Sequence, residues 1–149
     1  MTASERELIE QTVNDFVDRE VRPAASEADE TQTFPEDVWD GLAELDLTGL
    51  TVSEEYGGFD VDQVTYSVIN EKLATGDLSV ATALSVHCLA TACIEQFGTD
   101  GHKEEWLPEM ADGRPVGAFA LSEPGAGSNP AEMTTEARQD GDEYDIDGK

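Results

Sequence analysis

The chain has 149 residues, with 34 acidic and 8 basic side chains and a formal charge of −26. A field of that sign repels phosphates, which excludes a nucleic-acid groove and a contact with an anionic membrane. No uninterrupted run approaches the ~18 apolar residues of a spanning helix, and the opening residues MTASERELIE show neither a basic region nor an apolar stretch, so no signal peptide is expected.

Ser4 and Glu7 have the spacing of a capping box, and Ile9, Val13, Phe16, Val17 and Val21 follow on one helical face. Pro23 predicts a break or bend, with residues 24–30 continuing as helix. Phe34-Pro35-Glu36-Asp37 marks a second start, followed by the stripe Val38, Trp39, Leu42 and Leu45. This helix is expected to stop near Asp46, a residue that tolerates the left-handed conformation better than most. Residues 47–59 connect, with a tight turn at Gly57-Gly58.

A third helix is predicted from about Asp62 to Thr75, with Val64, Val68, Ile69 and Leu73 on one side. Gly76-Asp77 ends it, and Asp77 can cap the fourth helix, Leu78 to Phe97. That segment carries one acid, Glu95, and no Lys or Arg, so a core helix apolar nearly all round is expected. Its Ser, Thr, His and Gln content argues against a membrane span. Cys88 and Cys93 lack the spacing of a metal or redox motif and read as ordinary thiols, and His87 reads as a packed histidine rather than a ligand. Asp100 is the expected cap of a short fifth helix through Trp106, Leu107 and Met110, which Gly113 closes.

The character then changes. Val116 to Leu121 reads as a strand and 124–130 as an irregular turn. Thr134–Gln139 and Glu143–Asp147 form two alternating segments with Asp140-Gly141 as the hairpin signal. The fold class is therefore mainly α, a helical bundle over 1–113 followed by the first strands of a β-barrel-like domain over 114–149. So few strands cannot cover their faces and edges, so the chain is expected to be unfinished at its C-terminus.

The acids are dispersed rather than blocked, as on a folded surface. Lysines are only Lys72, Lys103 and Lys149. Such a surface suits molar salt, where the Debye length falls to ~3 Å and self-repulsion is screened. A halophilic, cytoplasmic protein is the expectation.

Phe119-Ala120-Leu121-Ser122-Glu123-Pro124-Gly125-Ala126-Gly127-Ser128 is the stretch that carries chemistry. Proline and glycines can hold backbone N–H groups open beside two hydroxyls, an array suited to a flat heterocycle and a phosphate. A plain surface turn would have the same composition. The stretch resembles the flavin signature of the acyl-CoA dehydrogenase family, and its flanks agree. Glu54-Glu55-Tyr56-Gly57-Gly58, Phe97-Gly98-Thr99 with Trp106-Leu107-Pro108, and Thr135 to Lys149 each resemble family segments in the same order.

The resemblance implies FAD as cofactor and dehydrogenation of an acyl-CoA thioester to the trans-2-enoyl-CoA. An electron-transfer flavoprotein is the implied acceptor and a homo-oligomer the implied state. It implies that Phe119, Leu121 and Ser122 lie along the flavin and that Gly127 and Ser128 lie nearest the pyrophosphate. Ser128 would also face the substrate, and Ser85 and Leu89 would line the acyl pocket. Ser122 stands where Thr is common, Asn129 and Ser53 where Asp and Pro are common, and Asp46 where Gly is usual. The family's catalytic carboxylate lies in a C-terminal bundle, and none of the acids here stands at a matching position. No catalytic residue and no metal ligand is therefore expected among these 149 residues, and the isolated chain is expected to hold FAD weakly. The alternative expectation is a non-catalytic remnant or helical interaction module that pairs with a separate chain.

Overall fold

The computed structural model describes residues 3–148. They form two units, one reaching Ala118 and one starting at Phe119. The first contains six described α-helices: α1 (Ala3–Phe16), α2 (Arg22–Thr31), α3 (Glu36–Glu44), α4 (Gln63–Gly76), α5 (Leu78–Phe97) and α6 (Asp100–Ala111). The second contains the strands β1 (Glu136–Asp140) and β2 (Glu143–Asp147).

Helix α1 begins at Ala3, so Ser4 stands inside its first turn rather than ahead of it. The expected break at Pro23 is absorbed without a stop. A π-helical turn, Val17–Val21, joins α1 to α2, and the Arg22 N–H reaches back to the Val17 carbonyl. Proline has no N–H and crowds the carbonyl four residues before it, and the widened turn makes room for both defects. The path ends where Gln32 turns left-handed, φ 54°. Asp46 also adopts the left-handed conformation, φ 59°, beyond α3.

The Asp62 carboxylate caps α4 by accepting from the Val64 and Thr65 amides, both at 3.0 Å. Those bonds, led by the one from Thr65, hold its pKa below the ordinary value, with Arg6 adding attraction. Asp77 caps α5 through the Ser79 amide at 2.7 Å. At α6 the cap is Thr99 rather than Asp100, in a reciprocal box with His102. Asp100 becomes the first helical residue, where a negative charge still favours the N-terminal end of the dipole.

The core gathers Val13, Phe16, Val17 and Val21 with Trp39 and Leu42 of α3, Ile69 and Leu73 of α4, and Leu84 of α5. On α4 the buried face is Thr65, Ile69 and Leu73, while Val64 is 58% exposed. Helix α5 also departs from expectation. It buries Val80, Ala81, Leu84, His87, Cys88, Ala90 and Thr91, but Leu78, Leu89 and Phe97 stand exposed. Its composition is apolar all round, yet the other helices cover one side only. By length and apolarity it is the one described helix that could cross a membrane.

His87 lies in this core with no exposed surface. Its Nδ1 accepts the Gly117 N–H at 2.9 Å, so Nε2 carries the proton and donates to the Met110 carbonyl at 3.0 Å. The ring meets Trp39 edge-on, 5.3 Å between centroids, and Trp39 Nε1 donates to the Gly113 carbonyl at 2.9 Å. Gly117 is needed there, because a Cβ would fall 2.7 Å from that of Ala90. These bonds lead the chain away from α6 along α5.

The strands pair antiparallel, from Glu136 opposite Asp147 to Asp140 opposite Glu143. The turn residues are Gly141 and Asp142, one place later than the sequence signal. Gly141 has φ +66°, a conformation that glycine adopts without strain. Both strands are exposed along their whole length.

Candidate functional site

Residues 116–122 form neither helix nor strand among the described residues. Val116 to Leu121 reads as a strand from its residues, but a strand also needs a neighbour to receive its hydrogen bonds. Beyond Ser122 the chain folds into a tight turn. The Glu123 N–H donates to the Ala126 carbonyl at 2.9 Å and the Ala126 N–H returns to the Glu123 carbonyl at 3.1 Å. Pro124 and Gly125 form the tip, and Ala126 is 2% exposed.

The Glu123 side chain extends this closure to the hairpin. One carboxylate oxygen accepts the Thr134 N–H at 2.8 Å and the Thr134 hydroxyl at 2.9 Å, and the other accepts the Thr135 N–H at 2.8 Å. The Thr135 hydroxyl, then the two amides, hold the carboxyl at a pKa of about 2. Sequence reading passed over Glu123, since no periodicity marks a bond between residues eleven apart through irregular chain.

Phe119, Leu121, Ser122, Gly127 and Ser128 flank this turn on both sides, and all five are exposed. Among the described residues the amides of Ser122, Gly127 and Ser128 donate to no protein acceptor. A Cβ built on Gly125 or Gly127 would meet nothing within 4 Å. The turn therefore offers unspent donors, a free hydroxyl at each end and backbone open to close approach. These are the requirements of a flavin with its pyrophosphate, and the residues present fit that group.

Ser85 and Leu89 lie in the helical unit, together in a groove of about 600 Å³ between α4 and α5. Ser85 is half-buried and its hydroxyl donates to Asn70 Oδ1 at 2.9 Å. The Asn70 amide in turn donates to the Tyr66 carbonyl at 3.0 Å, which fixes which end of Asn70 faces Ser85. Tyr66, Val86 and Leu89 supply apolar wall, and Leu89 is 48% exposed. The groove has one acid, Glu71, which is exposed. Asn70 was not singled out from sequence. A polar residue on a helical face carries no local sign that it will order a serine on the next helix.

The helical unit carries a semi-apolar groove, and the second unit carries a turn whose amide donors are unspent among the described residues. The chain belongs to the acyl-CoA dehydrogenase family: the profile of the acyl-CoA dehydrogenase N-terminal domain matches residues 3–114. The short-chain specific acyl-CoA dehydrogenase of Clostridium acetobutylicum is 35% identical over 145 residues, covering 97% of this chain and 38% of that protein. An acyl-CoA dehydrogenase of Bacillus anthracis, solved as a complex with FAD, superposes with a TM-score of 0.89 at 31% identity, over 99% of this chain and 26% of that one. A structure of the electron transferring flavoprotein of Acidaminococcus fermentans contributes a TM-score of 0.91 at 30% identity, over 99% of this chain and 39% of the matched one. The chain spans 32% to 39% of the length of the curated relatives it matches.

Proposed function

We propose that this chain supplies the helical domain and a flavin-binding segment of an FAD-dependent dehydrogenase. The reaction is the α,β-dehydrogenation of an acyl-CoA thioester to the trans-2-enoyl-CoA. The observation that carries the reading is the turn around Glu123, flanked by the exposed residues Ser122, Gly127 and Ser128, whose amides are unspent among the described residues.

FAD supplies the hydride acceptor when bound. The protein's own part is to bind and orient. Phe119, Leu121 and Ser122 lie along the isoalloxazine, with the Ser122 hydroxyl and amide as donors. Gly127 lets the backbone approach the pyrophosphate, and Ser128 adds a hydroxyl there and toward the CoA portion of the substrate. Leu89 and Ser85 wall an acyl chain in the groove of α4 and α5. An electron-transfer flavoprotein is the proposed acceptor, supported by the resemblance to the Acidaminococcus chain. The working compartment is a salty cytoplasm, and the enzyme works as a homo-oligomer.

The test is a titration of the isotope-labelled chain with FAD in ~1 M KCl, where surface repulsion is screened, followed by amide shifts. Saturable shifts at Leu121, Ser122, Gly127 and Ser128 are expected, reduced by Ser122→Ala. Shifts scattered over the helices, or none up to millimolar FAD, overturn the reading.

A further inference from the structure

The geometry points to Glu123 as the positioning residue of the flavin-binding turn, acting through Thr134 and Thr135 rather than by touching the cofactor. The inference rests on the flavin reading of that turn.

The turn itself has only the two backbone bonds exchanged by Glu123 and Ala126. A short exposed turn with glycines on either side of Ala126 loses substantial chain entropy on ordering, and two peptide hydrogen bonds offset little of it. The carboxylate changes that balance. It gathers both amides and the Thr134 hydroxyl onto its two oxygens at 2.8 to 2.9 Å. Bonds to a charged acceptor are about twice as strong as neutral ones. They also close residues 124–133 into a loop whose far end enters β1 directly. Gly127 and Ser128 lie inside that closed loop and Ser122 lies just outside it. Where their amides face is thus set by a bond that spans eleven residues. With its pKa held at about 2, the carboxyl is ionised at neutral pH and the clamp is closed there.

Glu123→Gln keeps the shape and removes the chemistry. A carboxylate accepts on both oxygens, whereas the amide has one oxygen and must point an N–H₂ at one of the threonine donors. Hydrogen exchange, amide shifts and FAD titrations on the full 149-residue chain in ~1 M KCl test the role. In Glu123→Gln the Thr134 and Thr135 amides are expected to lose protection, and the shifts of 122–128 to move. FAD affinity should fall about tenfold, the loss usual for one charged hydrogen bond. The shifts of α5 and of Gln139 and Tyr144 should stay, which separates positioning from a general loss of fold. Thr134→Val, which deletes only the hydroxyl bond, should give an intermediate loss. Equal FAD affinity in wild type and Glu123→Gln, with the threonine amides released, overturns the role of Glu123 alone. Absence of any FAD response in the wild-type chain overturns the flavin reading beneath it.

Discussion

His87 offers the sharpest test of how the helical unit is held together. It is fully buried, and both ring nitrogens are engaged: Nδ1 accepts from Gly117 and Nε2 donates to the Met110 carbonyl. A second proton would have to sit on Nδ1, directly against the Gly117 N–H, and would place a charge in the core. Burial accordingly holds the imidazole pKa below its ordinary value of 6.5, and the bond to Met110 offsets this only in part. The sign follows from linkage. A base whose folded pKa is depressed binds fewer protons folded than unfolded, so its contribution is complete above the unfolded pKa of about 6.5 and is lost as pH falls from there toward the folded value. The slope from one such group cannot exceed ~1.4 kcal/mol per pH unit. His87→Gln retains a donor and an acceptor but does not titrate. Urea melts in ~1 M KCl at about pH 6.5 and about pH 5.5 should show wild type losing up to ~1 kcal/mol more than His87→Gln across that step. Carboxylates titrate in both proteins, and the difference cancels them. His87→Ala should cost ~3–5 kcal/mol at neutral pH, from a cavity plus the unpaired Met110 carbonyl and Gly117 amide. Parallel pH slopes in wild type and His87→Gln would refute the reasoning.

The two sides of α5 predict opposite responses to the same substitution. Leu84→Ala, at a site with 0% exposure, should cost ~2–5 kcal/mol by urea melt. Leu89→Ala, at 48% exposure, should cost under ~1 kcal/mol. Equal costs would mean that the exposed face is covered in solution. On the hairpin, Glu136 faces Asp147 and Asp140 faces Glu143, so like charges oppose each other at both ends. Glu143→Lys should stabilise the hairpin by ~0.2–1 kcal/mol at low salt, read from hydrogen exchange of the strand amides. That gain should vanish in molar KCl; a gain that persists there would count against an electrostatic origin.

Local chemistry was legible and mutual arrangement was not. Asp62 and Asp77 announce helix starts because an aspartate before an amphipathic run has one favourable use, and Asp46 ends α3 left-handed for an equally local reason. The exposed turn from Ser122 to Ser128 was readable because proline, glycine and serine act through their own backbones. Four features needed the fold. Residues 116–121 read as a strand but have no described partner. Helix α5 shows its apolarity in composition, but which side its neighbours cover is a property of those neighbours. Glu123 belongs to a loop-to-hairpin bond, and Asn70 to a bond between helices, and neither leaves a period in the chain.

The placement of charge separates two contributions to stability that the composition merges. The buried polar side chains among the described residues are Thr48, Thr65, His87 and Thr91, and none is an acid. The described ion pairs all use arginine: Arg6, Arg22, Arg114 and Arg138. Arg114 holds both Glu36 and Asp40, which raises its already high pKa, the bond to Asp40 foremost. Most of the 34 acids therefore stand uncompensated at the surface, and exposed pairs of this kind contribute ~0–1 kcal/mol each. The core is an ordinary apolar one. The repulsion around it is long-ranged and falls as the Debye length shortens. Added KCl should accordingly raise the unfolding midpoint of the helical unit while leaving its denaturant slope unchanged, because the slope follows the surface exposed on unfolding. A midpoint already at its maximum in low salt would show that the core alone carries the fold and would remove the basis for a salty compartment.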